Sequence, residues 1–379
     1  MRHLALAAFL ALSSTMPVAA QLFGSRGLDT RFCEQPAVRQ TVAYIDDMMM
    51  VDGRTEWAVK LSDKLRATLA PGERVTVVRI SPSSGQSSEL WSGCWPAYSD
   101  AALADIRKQN YLFQKNPLTS LSEQQTYFLQ GFGGALTTIY NTGKQQLAEV
   151  RFSAAHPHPK QSVRALASDD GRFANSKITI RAIIYSDFAE NSDLASVFQK
   201  SDTPPEFGQK LGSYLRRGVI YGFGIGDDVF DSPGFNESAK TFWGTALRSM
   251  AATLAGIGAD LNVPNTLPIH SYNFTVNLTL NGQKLDGRLS LLTNADGDLV
   301  DSWLGISRLA PVALNGSFVC KSADLDAACR LDATTLGGVA TTSPSEALAM
   351  SGTVKAGING KLGVRGSSAL FDINTQAGE

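Results

Sequence analysis

Three apolar runs in this chain end in aspartate, and those acids are where it could do chemistry. Val42 to Ile45 runs into Asp46 and Asp47, Ile180 to Tyr185 into Ser186 and Asp187, and Val219 to Ile225 into Gly226, Asp227 and Asp228. Carboxylates converging on one point are what Mg²⁺ or Ca²⁺ requires, and Mg²⁺ held this way sits beside substrate phosphates. Asp46, Asp47, Asp187 and Asp228 would then form the centre of a metal-dependent hydrolase acting on an extracytoplasmic phosphoester. Met48 and Met50 follow the first acids. Their thioethers are too soft for such ions and suit the packing of irregular gaps. Aspartates also start loops and cap helices, which accounts for Asp227 and Asp228 without any ion.

Other chemistry has thin support. Beyond the first 20 residues the histidines are His156, His158 and His270, the first two interleaved with prolines. No Gly-x-Ser-x-Gly stands where a nucleophile elbow would need it. Gly222-Phe-Gly-Ile-Gly226 lacks phosphate-loop spacing and reads as a strand approached closely by other backbone. Asn294, Asp296, Asp298 and Asp301 are reminiscent of a calcium loop without the EF-hand spacing, and a hairpin turn explains them as well. Asn236, Asn273, Asn277 and Asn315 are glycan acceptors only in a eukaryotic secretory route.

Apolar runs without alternation belong to strands covered on both faces, as in a parallel sheet whose ligands bind beyond the carboxyl ends. Strands are expected at Thr41 to Asp47, Arg74 to Ile80, Ile178 to Ser186 and Val219 to Ile225. Trp57, Leu61, Leu65 and Leu69 mark a helix over Glu56 to Leu69, stopped by Pro71-Gly72. Further helices are expected at Ala101 to Gln114, at Ser122 to Asn141 with a capping box from Ser120 to Glu123, near Phe207 to Arg216, and at Ala239 to Ala255 ended by Gly256 and Gly258. Trp91 to Trp95 reads as a loop, and Glu149 to Ala174 as an exposed connection.

From Gln40 to Leu261 this order resembles the von Willebrand factor type A (vWA) family: a strand ending in acid, a helix, then later strands ending in Ser-Asp and in Gly-x-Gly. The resemblance implies a doubly wound, mostly parallel α/β sheet with a divalent cation at its carboxyl edge, completed by an acid from a partner protein. It carries the first metal aspartate onto Asp46, the later one onto Asp187 and a middle-loop threonine onto Thr137 or Thr138. Met48 and Met50 stand where the family has serines, so the implied metal motif is eroded. No cofactor is expected, with Mg²⁺ or Ca²⁺ the ion if one binds.

Beyond Pro264 short alternating runs broken by glycine turns predict an antiparallel β sandwich or partly closed barrel. The organisation is then a signal peptide (1–20), an arm (21–38), a vWA-like α/β domain (39–262), a linker (263–268) and a β-rich domain (269–375). Residues 1–20 pair an early arginine with a short apolar run and Ala19-Ala20, which predicts a periplasmic or secreted protein. Four cysteines and no Cys-x-x-Cys suit two disulfides. Of three possible pairings, Cys33 with Cys94 and Cys320 with Cys329 keeps each bridge inside one domain. A net charge of −1 argues against nucleic acid as a partner, and no run is long enough to span a membrane. The reading is an exported, non-enzymatic module for adhesion, scaffolding or assembly. Its protein-binding surface would be Asp46, Asp47, Met48, Met50, Asp187, Asp227 and Asp228. Lipid or glycan binding by the β domain is a further alternative.

Overall fold

The computed structural model describes residues 27–375 except 51–53, 110, 112–115, 150–159, 175, 199–214, 227–232, 281, 308–310, 322–328, 339–346, 355–356 and 363–366. The expected signal peptide, His156, His158, Asp227, Asp228 and most of the helix expected near Phe207 to Arg216 lie outside the described residues.

The first half is a three-layer α/β unit. Its strands are β1 (Arg39–Asp46), β2 (Arg74–Ser81), β3 (Gln86–Cys94), β4 (Thr179–Tyr185), β5 (Gly218–Phe223) and β6 (Thr253–Gly258), in the spatial order β3-β2-β1-β4-β5-β6. All neighbours pair in parallel except the β2–β3 hairpin. Successive residues of β1 serve opposite cores. Ala43 and Ile45 pack with Trp57, Leu61 and Leu65 of α1 (Glu56–Thr68) and Phe132 of α3 (Leu121–Glu149), while α2 (Asp100–Lys108) buries none of its residues. Val42 and Tyr44 pack with Val163 of α4 (Ser162–Ala167), Phe173 of α5 (Asp170–Ala174) and Trp243 of α6 (Pro233–Ser249). A strand with both faces covered needs apolar residues at every position, which is why the sequence shows no alternation there.

Four expectations need correction. Residues 91–94 belong to β3, whose edge position lets a half-exposed pattern pair antiparallel with β2. α3 opens through a 3-10 turn, Pro117–Ser120, and the cap is Asn116 rather than Ser120. The last helix stops at Ser249, since Ala251 takes a left-handed φ of 61° and Ala252 N–H returns to the Leu247 carbonyl. Gly256 and Gly258 therefore lie in β6. Met250 and Leu254 keep helical spacing across that break, so periodicity hid it. The stretch expected to be an exposed connection holds α4 and α5, with Val163 and Leu166 buried.

The second half is antiparallel and takes the barrel form of the two expected, with eight strands in a closed order. Its strands are β7 (His270–Leu280), β8 (Gln283–Thr293), β9 (Ser302–Ile306), β10 (Val312–Val319), β11 (Arg330–Gly338), β12 (Ala347–Thr353), β13 (Gly357–Leu362) and β14 (Ser367–Thr375), and β14 returns to pair with β7. Alternate residues such as Phe274, Val276, Leu278, Leu348 and Met350 fill the interior, as an eight-stranded barrel permits. Asn294 accepts from the N–H groups of Asp296 and Asp298, which makes the calcium-like stretch a side-chain-capped turn. Both disulfides pair as expected, Cys33 with Cys94 and Cys320 with Cys329.

Asp301 does not face that turn. It reaches the α/β unit, where its carboxylate accepts from Arg39 and from the Tyr221 hydroxyl at 2.7 Å. Arg39 also binds Glu73 at 2.9 Å, and Arg181 lies 3.3 Å from the same carboxylate. Trp303 joins the α/β core and donates to Thr179, the first residue of β4, at 3.2 Å. The barrel is thus seated at the amino-terminal edge of the sheet by four fully buried charges, two of each sign. Removing one partner of a buried pair leaves an uncompensated charge and costs about 3–5 kcal/mol. Asp301→Ala should therefore lower stability by about 3 kcal/mol or more in a denaturant titration. A loss under about 0.5 kcal/mol would show that the network does not hold the two halves together.

Candidate functional site

The opposite, carboxyl edge carries the predicted acids. β1 is where the sheet changes direction: the chain runs outward through β2 and β3, then returns to lay β4 on the other side of β1. In such sheets the crevice beyond the strand ends at this switch point is the usual ligand position. Asp46 ends β1, Asp47 opens the 3-10 turn Asp47–Met50, and Asp187 follows β4 by two residues.

Each strand end turns on its own aspartate. Asp46 Oδ1 accepts from Met48 N–H at 2.9 Å, and Asp187 Oδ1 accepts from Ala189 N–H at 2.9 Å, both two residues ahead in the manner of Asx turns. Ser186 joins them by donating its hydroxyl to Asp46 Oδ2 at 2.8 Å. Between the two acids lies the ammonium of Lys160, 2.6 Å from Asp187 Oδ2 and 3.6 Å from Asp46 Oδ2. All three side chains are at most 6% exposed. Asp47 points elsewhere, accepting from Ser81 through Oδ2 with the Arg79 guanidinium 3.9 Å away, while its buried Oδ1 has no hydrogen-bond partner.

The methionines pack inward. Met48 and Met50 are buried, and Met49 Sδ accepts the Asp187 N–H at 3.1 Å. Close approaches hold the turn in place. A Cβ on Gly143 of α3 would sit 2.2 Å from the Asp47 carbonyl, and one on Gly222 of β5 would sit 2.5 Å from the Phe188 ring. Phe188, at φ 60°, uses that space to stack edge-on against Trp243 at 5.4 Å. Gly222 therefore serves close packing, as its sequence context indicated.

The structure brings Asp46, Asp47, Met48, Met50 and Asp187 together, but beneath the surface rather than on it: none exceeds 7% exposure, because α3 and the 160–163 segment cover them. Thr137 does not join. Its hydroxyl donates to the Gly133 carbonyl within α3, and it lies six residues, about 9 Å along the helix axis, from Gly143 where α3 meets the turn. Among the described residues no three His, Cys, Asp or Glu side chains are placed to hold a metal ion. A divalent cation wants about six oxygens. The Asp46 and Asp187 carboxylates already hold the ammonium and backbone N–H groups, and two of the expected serines are buried methionines, so the donor set does not fit one.

Lys160 and Glu190 went unnoticed in the sequence. Val163 and Leu166 at helical spacing were the available signal that the segment packs inward. Lys160 is pinned by a two-residue bridge to Asn191, with N–H to carbonyl distances of 2.9 and 2.8 Å. Glu190, fully buried, holds the start of α4 through Val163 N–H at 3.0 Å and accepts from Ser192 at 2.6 Å.

One opening lies beside this edge. Trp57, Tyr185 and Phe223 form its aromatic floor, with Trp57 stacked 4.9 Å from Tyr185, and Arg54, Glu56 and Lys60 form its rim around about 200 Å³. That is below the roughly 300–1,000 Å³ typical of small-molecule sites.

No family model matches the chain, and no curated protein matches it. Among solved structures it is similar to the ArnB paralog VWA2 of Sulfolobus acidocaldarius, at 11% identity and a TM-score of 0.31 over 90% of this chain and 67% of that one. It is also similar to the human COPII-coat protein Sec24c, at 8% identity and a TM-score of 0.28 over 90% of this chain. The match spans 44% of the coat protein's chain. At these distances neither likeness adds to what the strand order shows.

Burial raises the Glu190 carboxyl to about 7, against the opposing hydrogen bonds from Ser192 and from backbone N–H groups. It also raises Asp46 to about 6, assisted by Asp187 and opposed by Lys160. The folded protein then binds more protons than the unfolded chain between the ordinary carboxylate range and neutrality, so stability falls as pH rises through that window. Melting temperatures should drop between about pH 5 and pH 8, and Glu190→Gln, which keeps the shape and removes the titration, should flatten the slope. An identical slope in the variant would show that Glu190 does not titrate there.

Proposed function

We propose that the protein is an exported, non-enzymatic module for adhesion, scaffolding or assembly, binding a protein partner at the rim of the sheet's carboxyl edge. The observation that carries this reading is the closure of the switch-point crevice by Lys160, which leaves Asp46 and Asp187 buried and paired where a hydrolase would need open carboxylates. Among the described residues an aromatic hollow rimmed by Arg54, Glu56 and Lys60 opens at this edge, its volume of about 200 Å³ suited to one inserted side chain of a partner rather than to a substrate. Two disulfides support export, since such bonds persist in oxidising compartments. No helix among the described residues is long and apolar enough to cross a membrane.

A photo-cross-linking residue placed at Lys60 should capture a discrete partner in the native host's envelope. The same group at Leu336, exposed on the barrel, should not. Equal capture at both positions, or none at Lys60, would rule out this edge as the binding surface.

A further inference from the structure

We propose that Lys160 is the resident cation of the switch-point edge: its ammonium takes the place between Asp46 and Asp187 that a divalent ion would otherwise occupy, making the domain metal-independent. Three observations converge on this. The ammonium lies within 3.6 Å of both carboxylates that the fold resemblance assigns to an ion. Its position is built in, because Lys160 backbone is held by Asn191 on both sides and the next residue's N–H donates to the Pro82 carbonyl at 2.8 Å. Two of the other places in the expected shell are held by buried Met48 and Met50, whose sulfurs are poor ligands for hard ions, and the Thr137 hydroxyl is spent on the Gly133 carbonyl.

Carboxylates removed from water need a counter-charge, and a chain-borne ammonium supplies one without depending on ion concentration. The substitution also changes what the edge can offer. A bound divalent ion can accept a further acid from outside, whereas an ammonium on a side chain 6% exposed cannot be reached by one. If the binding role proposed above holds, recognition at this edge proceeds without a shared metal ion.

The test uses the intact protein and requires no partner, so its failure and that of the binding role are separable. Melting of the wild type with EDTA, and then with Mg²⁺, Mn²⁺ or Ca²⁺, should show no shift. A saturable shift abolished by Asp46→Asn would overturn the proposal. Lys160→Met, which keeps the apolar stem of the side chain and removes the charged head, should lower the melting temperature by about 10 °C. Adding Asp187→Asn, which removes one of the stranded charges, should recover more than half of that loss. An unchanged melting temperature in Lys160→Met would overturn the proposal. So would a loss that Asp187→Asn fails to recover, since the lysine would then act by packing rather than by charge. Should Lys160→Met not fold, the double variant decides: restored folding supports the proposal and continued failure overturns it.

Discussion

Charge withdrawn from water must be neutralised where it lies, and the architecture of this protein is organised around doing so at both ends of one sheet. At the amino-terminal edge Arg39 and Arg181 are matched by Glu73 and Asp301, all fully buried. At the carboxyl edge Asp46 and Asp187 are matched by Lys160. Both arrangements recruit a residue from outside the strands, Asp301 from the barrel and Lys160 from the segment before α4. Buried pairs of this kind contribute little net stability over an apolar replacement, yet are costly to break. Their geometry ties the barrel to the amino-terminal edge and the 160–163 segment to the strand ends.

Apolar packing and covalent bonds supply the stability these pairs do not. Cores on both faces of the sheet and a filled barrel interior bury the long side chains, from Trp57 and Trp243 to Phe274. The Cys33–Cys94 bridge, with a sequence separation of 61, would contribute about 4 kcal/mol in a loop-entropy account, tying the 3-10 turn Thr30–Glu34 to the end of edge strand β3. The Cys320–Cys329 bridge closes the connection between β10 and β11. With the scaffold held this way, the switch-point crevice is filled by the protein's own side chain, Lys160.

Much of this was open to reading in the chain. Unbroken apolar runs marked β1, β2, β4 and β5 because both faces of each are covered. Period-two runs marked the barrel strands because one face is wet. Trp57, Leu61 and Leu65 marked the buried stripe of α1. β6 was lost because its apolar residues continue the spacing of α6, and the left-handed Ala251 that separates the two carries no compositional sign. β3 was lost because edge strands need no apolar face. Asp301 was grouped with a turn four positions away, although its side chain faces the opposite way.

By itself, then, the sequence determined most of the strands and the long helices, which of their faces are buried, and that acids would collect at one sheet edge. Those properties follow from local periodicity and from the direction of strands, both written in neighbouring residues. Only the tertiary structure decided what those acids would be paired with. Lys160 meets Asp187 across 27 residues, Ser186 meets Asp46 across 140, and Arg39 meets Asp301 across 262. Charge pairing depends on distance through space, and no period along the chain encodes it.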